Sequence, residues 1–168
     1  LKLGLALGIA LAVLSFAAPA NSQSFAIGEP PVADVTMPEA WSPNETDAGV
    51  EANSPDGQVY LSVEVAAAGS DAALRNSIRG VFEWLQERGV KLDPVPDGQP
   101  LRLQHWADAT HGVVTGRDSN GDPTAADIIV ISANPTTVII AVAWYSPGAE
   151  RTHGETMRSV IHSIRPAR

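Results

Sequence analysis

The 168-residue chain contains no cysteine. That excludes disulfides, thiol nucleophiles, cysteine-ligated zinc and the lipid-modified cysteine of exported lipoproteins. Stability has to come from a packed core. Basic residues are also scarce, with 11 Lys and Arg against 19 Asp and Glu and a formal net charge of −8. An acidic surface repels nucleic acid and anionic lipid head groups, so neither is expected as a partner. Aromatic residues number nine, yet four of them are tryptophan.

Several motifs are missing as well. Neither phosphate-cradling glycine loop, G-x-x-x-x-G-K-[ST] or G-x-G-x-x-G, is present. The same holds for the G-x-S-x-G nucleophile elbow and the H-E-x-x-H zinc helix. His153-Gly154-Glu155 matches the H-x-E of zinc deaminases without the cysteine ligands that complete such a site. Asp118-x-Asn120-x-Asp122 resembles the opening of a calcium loop. Pro123 and Ile129 stand where that loop needs its glycine and its bidentate acid, so a tight turn is expected. Asn44-Glu45-Thr46 fits a glycosylation sequon, a pattern common by chance. No cofactor and no metal are expected.

The chain's informative hydrophobic run is Leu3 to Phe16, preceded by Lys2 and followed by Ala18-Pro19-Ala20. That is the layout of a secretory signal peptide, with cleavage expected after Ala20 and a weaker site at Ala20-Asn21-Ser22. An uncleaved anchor is the competing reading. It needs about 20 apolar residues, whereas Leu3 to Ala18 offers 16 before Pro19 intervenes. Export to the periplasm or the cell exterior follows. Removal of residues 1–20 takes away Lys2 alone among the charges and leaves 168 − 20 = 148 residues, enough for one domain.

The remaining chain reads as an extended leader at 21–31 and a single domain at 32–168. Val32 to Met37 is a candidate strand. Ser54-Pro55-Asp56-Gly57 is a turn signal between Val50–Asn53 and the strict alternation of Val59, Leu61, Val63 and Val65, which predicts a hairpin. Ser70 and Gly89 bracket a helix whose apolar stripe is Leu74, Ile78, Val81, Phe82 and Leu85. Leu92 to Pro100 is loop, and Leu101 to Arg117 is strand-like with a break near Asp108. Ala126–Ser132 and Thr137–Trp144 are almost wholly apolar, as central strands covered on both faces are. Ser146-Pro147 predicts the start of a second helix with the stripe Met157, Val160, Ile161 and Ile164, stopped by Pro166. The order predicts an antiparallel sheet flanked by helices, an α/β/α sandwich.

Met37-Pro38-Glu39-Ala40-Trp41, the Ser54–Gly57 hairpin, the Leu74–Gly89 helix running into Val90-Lys91-Leu92, and a last helix ending Ser163-Ile164-Arg165-Pro166 together resemble the PsbP-like superfamily. The resemblance implies a non-enzymatic binding or accessory domain and supplies no catalytic residues. Its partner would be a protein or small molecule of the cell envelope.

Candidate site residues are few. Trp41 lies in a turn-rich stretch and Trp106 beside His105 and Asp108, and exposed Trp is enriched at binding hot spots. In one continuous strand His105 and His111 would stand about 20 Å apart, too far to share a metal whose ligands sit about 2 Å away. His153 joins the core stripe of the last helix and His162 faces away from it. A small exported hydrolase using His105 or His111 with Asp108 is the alternative to the binding module.

Overall fold

The computed structural model describes residues 21–168, and the expected signal peptide lies outside them. The main sheet is built from β3 (Asn44–Glu45), β4 (Gly49–Asn53), β5 (Val59–Ala67), β10 (Thr137–Tyr145), β9 (Pro123–Asn134), β8 (Ala109–Arg117) and β6 (Lys91–Leu92), in that spatial order, with β7 (Gln99–Pro100) added to β8. Every pairing is antiparallel. A second, small sheet joins β1 (Ser22–Ile27), β2 (Ala33–Pro38) and β11 (Arg165–Pro166).

Strands β9 and β10 are covered on both faces, as their almost wholly apolar Ala126–Ser132 and Thr137–Trp144 predict. Ile129 and Ile131 pack with Ile139, Ala141 and the small sheet, while Ile128 and Val130 pack in a separate cluster with Ile140 and Val142 on the other face. Helix α2 (Ala149–Ser163) and the small sheet cover the first face; helix α1 (Asp71–Glu87) covers the second. The architecture is an α/β/α sandwich. No helix among the described residues is long and apolar enough to cross a membrane.

The two helices are seated differently. Ser70 caps α1 by accepting the Ala73 N–H at 3.2 Å, and Gly89 follows the helix at φ +82°, the left-handed conformation that glycine reaches without strain. Of the expected stripe only Leu85 is fully buried; Leu74, Ile78, Val81 and Phe82 remain half-buried. Helix α2 buries Met157, Val160 and Ile161 against the core. It begins at Ala149 rather than at Pro147, with Gly148 in the capping position and no side-chain cap. Ser146 contributes its carbonyl instead, accepting the Ala149 N–H at 3.0 Å.

The expected leader is also part of the fold. Ser22–Ile27 pairs with β2 along its whole length, and Phe25 and Ile27 enter the core. The apolar alternation there is only two residues long, too little to mark a strand against a polar background. The hairpin of β4 and β5 forms as expected, and Gly49 lets them close: a Cβ there would stand 2.0 Å from the Val63 carbonyl oxygen. The strand expected from Leu101 starts only at Ala109: residues 101–108 are irregular, with one isolated bridge between Leu103 and Trp106.

Candidate functional site

Strands β8, β9 and β10 present His111, Asp127, Ile129, Ala143 and Tyr145 on the face toward α2. Register puts His111 opposite Ile129, and Asp127 opposite Ala143. Alternation then sends Asp127 and Ile129 to the same side. Across them α2 leaves a cleft of about 230 Å³. Its floor is apolar, made by Ile129, Ala143, Met157 and Ile161. At its rim His111 Nε2 and Asp127 Oδ1 are 2.8 Å apart, with both side chains partly open to water. Glu150, Arg158 and His162 from α2 form the opposite rim. Burial, and then the negative charges of Asp127 and Glu150, push the Tyr145 hydroxyl up to about 12.

Gly154 faces this cleft from the middle of α2. A Cβ there would meet Glu150 Cγ at 3.3 Å and an Arg158 guanidinium nitrogen at 3.4 Å, so the two side chains converge on the bare backbone from either side. Neither has an ion-pair partner among the described residues.

The residues expected to form a site are dispersed. Asp108 accepts the Ser132 hydroxyl at 2.9 Å and its carbonyl accepts the Ser132 N–H at 3.0 Å, which pins the start of β8 to β9. His105 is exposed in the irregular segment before β8. His111 alone of that group enters the cleft, and its carboxylate partner is Asp127, not Asp108, whose carboxylate is held by Ser132.

The two tryptophans are structural. Trp41 is 4% exposed, because the short 3₁₀ turn Glu39–Trp41 folds it into the core, where it meets His153 edge-on at 5.6 Å. Trp106 is half-buried and donates its indole N–H to the Ile164 carbonyl at 2.9 Å, tying the 101–108 segment to the end of α2. Trp41 and Trp106 form no exposed patch.

Asp127, Glu150 and Arg158 escape sequence reasoning. One signal was present: Asp127 is the single charge inside the apolar run from Ala125 to Ile131.

No protein-family model and no curated protein matches the chain. Among solved structures, the cyanobacterial PsbP protein CyanoP of Synechocystis sp. PCC 6803 aligns over 94% of this chain and 99% of its own, with a TM-score of 0.56 and 11% identity. The fold is PsbP-like. At that identity the likeness extends to the fold and no further. PA94, a Pseudomonas aeruginosa protein of unknown function, is 15% identical with a TM-score of 0.48, covering 88% of this chain and 98% of its own. A Bacteroides thetaiotaomicron structure is 10% identical with a TM-score of 0.48, covering 81% of this chain and 45% of its own.

Proposed function

We propose that the chain is an exported, non-enzymatic binding or accessory module whose ligand site is the cleft under α2. The signal-peptide layout of residues 1–20 supports export. N-terminal sequencing of the exported protein is expected to start at Asn21 or within a few residues of it. A membrane-retained product still carrying Leu3–Phe16 would contradict export.

One observation carries the binding reading: an apolar floor is ringed by a few convergent polar groups, the form small-molecule sites take. Among the described residues no serine, threonine or lysine lines that cleft. A ligand with an apolar body and a polar head fits it. The test titrates octanoate, octanol and phenylacetate into residues 21–168 and follows backbone amide shifts. Saturable shifts clustered at His111, Asp127 and residues 150–161 are expected. Shifts that cluster elsewhere, or none at millimolar probe, would overturn the assignment.

A hydrolytic reading draws on the His111–Asp127 pair, since an imidazole oriented by a carboxylate can serve as a general base toward water. It predicts hydrolysis of p-nitrophenyl acetate that His111→Ala abolishes. Equal rates for His111→Ala and the parent chain would dismiss it.

A further inference from the structure

A second cleft, of about 260 Å³, opens on the other face of the sheet between α1 and strands β5 and β10. One wall is aromatic. The Tyr60 and Trp84 rings pack with centroids 4.9 Å apart, and Trp144 meets Trp84 edge-on at 5.8 Å. This wall already engages a cation: the Arg88 guanidinium lies 3.9 Å from the Trp84 ring centroid, held there by its own bond to the Trp84 carbonyl at 3.2 Å. Ala66, Val81, Ile140 and Val142 add apolar lining, and Ser62, Glu64 and Ser77 add polar groups. Gly80 keeps the mouth clear, for a Cβ there would have no neighbour within 4 Å.

Most polar groups around this cleft are already partnered. The Tyr60 hydroxyl donates to Glu51 Oε2 at 2.9 Å, the Trp144 indole to Thr124 Oγ1 at 2.7 Å, and Ser77 to the Ala67 and Ala73 carbonyls at 3.1 Å each. The one charged side chain of the lining, Glu64, is not. It lines the cleft half-buried, with no hydrogen bond or ion pair among the described residues. Burial first, and the neighbouring Glu51 carboxylate second, push its carboxyl above the ordinary glutamate value. An incoming positive charge would relieve both effects.

We propose that this cleft binds a small organic ammonium ion with an apolar or aromatic body. The ammonium group pairs with Glu64 and the body packs between Tyr60, Val81 and Trp84. A bare divalent metal fits poorly, because calcium takes six to eight oxygen ligands and this lining is mostly carbon. The site is independent of the cleft under α2, on the opposite face of the sheet.

The test compares phenethylammonium with its neutral analogue 2-phenylethanol, each titrated into residues 21–168 at pH 7.5. Tryptophan fluorescence and the amide shifts of 60–64 and 77–84 are the readouts. Phenethylammonium should bind saturably, and 2-phenylethanol about tenfold more weakly or worse, the usual value of a charge-assisted hydrogen bond. Glu64→Gln should lose a similar factor while melting no lower than the parent. Gly80→Leu, which fills the mouth from the helix side, should lose binding too. Affinity should fall as the pH drops through the raised Glu64 pKa and become flat in Glu64→Gln. The other ionisable groups near Glu64 are Glu51 from β4 and Tyr60 from β5; on α1 Arg88 lies over the Trp84 ring, and the β10 residues of the lining are Ile140 and Val142. Equal binding of the two probes, unaltered binding in Glu64→Gln, or no saturable binding of phenethylammonium would each overturn the proposal.

Discussion

His153 Nε2 lies 2.8 Å from Asp56 Oδ2, fastening helix α2 to the tip of the β4–β5 hairpin 97 residues earlier in the chain. The Ser54 hydroxyl donates to the same carboxylate at 2.6 Å and the Gln58 N–H at 3.1 Å. Ser54 Oγ in turn accepts the Val59 N–H at 2.9 Å, so one short turn both closes the hairpin and presents an acceptor to the helix. The Ser54 bond, then the His153 bond, hold Asp56 well below the usual carboxylate range.

The sign of the pH effect follows from that depression. A carboxylate whose folded pKa is lowered adds stability above its unfolded value, about 3.9, and loses it as pH falls through the folded one. Melting temperature should therefore drop as the pH is taken from 6 toward 2. Asp56→Asn should melt lower than the parent at pH 6 and show a shallower acid slope. Parallel curves for the two would dissociate the clamp from acid stability.

Glu64 predicts the opposite sign. Its folded pKa is raised, so its contribution is present below the ordinary glutamate value of about 4.3 and is lost as pH rises through the folded value. Glu64→Gln should raise the melting temperature at pH 7 and leave it unchanged at pH 3. A thermal scan at the two pH values decides it, and destabilisation at pH 7 would contradict the assignment.

Two glycines should answer alanine in opposite ways. Gly49→Ala forces a Cβ to 2.0 Å from the Val63 carbonyl oxygen in the neighbouring strand. Relief requires backbone movement, at a cost of about 1–3 kcal/mol. Gly154→Ala meets only side-chain atoms at 3.3 and 3.4 Å and removes a glycine from a helix interior, a gain of up to about 1 kcal/mol. Urea unfolding of the pair would measure both.

The fold was legible where one kind of pattern ran long enough. The alternation from Val59 to Val65 in β5, the capped stripe of α1 and the almost wholly apolar Ala126–Ser132 and Thr137–Trp144 each announced their element, and the two-sided burial of β9 and β10 followed from that run of apolar residues. Ser22–Ile27 carries only Phe25 and Ile27 as inward residues, and its status as a strand depends on β2 lying alongside. The binding cleft was less legible still. His111 and Asp127 are 16 residues apart and meet only through the β8–β9 register, while Glu150 and Arg158 reach the same place from a helix. Trp41 misled because a tryptophan in a turn-rich stretch looks exposed until the turn is seen to fold inward.

The two-sided burial carries its own test. Ile131, fully buried toward α2, and Ile128, 6% exposed toward α1, should both reject aspartate. Each change buries an unpaired carboxylate, a cost of several kcal/mol against the roughly 5–15 kcal/mol that holds a typical domain together. Both variants should lose the cooperative unfolding transition. Near-parental stability in Ile128→Asp would mean that α1 does not cover that face in solution.

The cleft under α2 is tested most directly by filling it. Gly154→Leu projects a side chain from the helix into the space above Ile129 and Ala143, displacing the Glu150 side chain at Cγ and the Arg158 guanidinium and no backbone. Titrated with octanoate, octanol and phenylacetate, this variant should keep the parent's cooperative melt and lose the amide shifts at His111 and Asp127. Undiminished binding in a folded Gly154→Leu would contradict the assignment of that cleft as the ligand site.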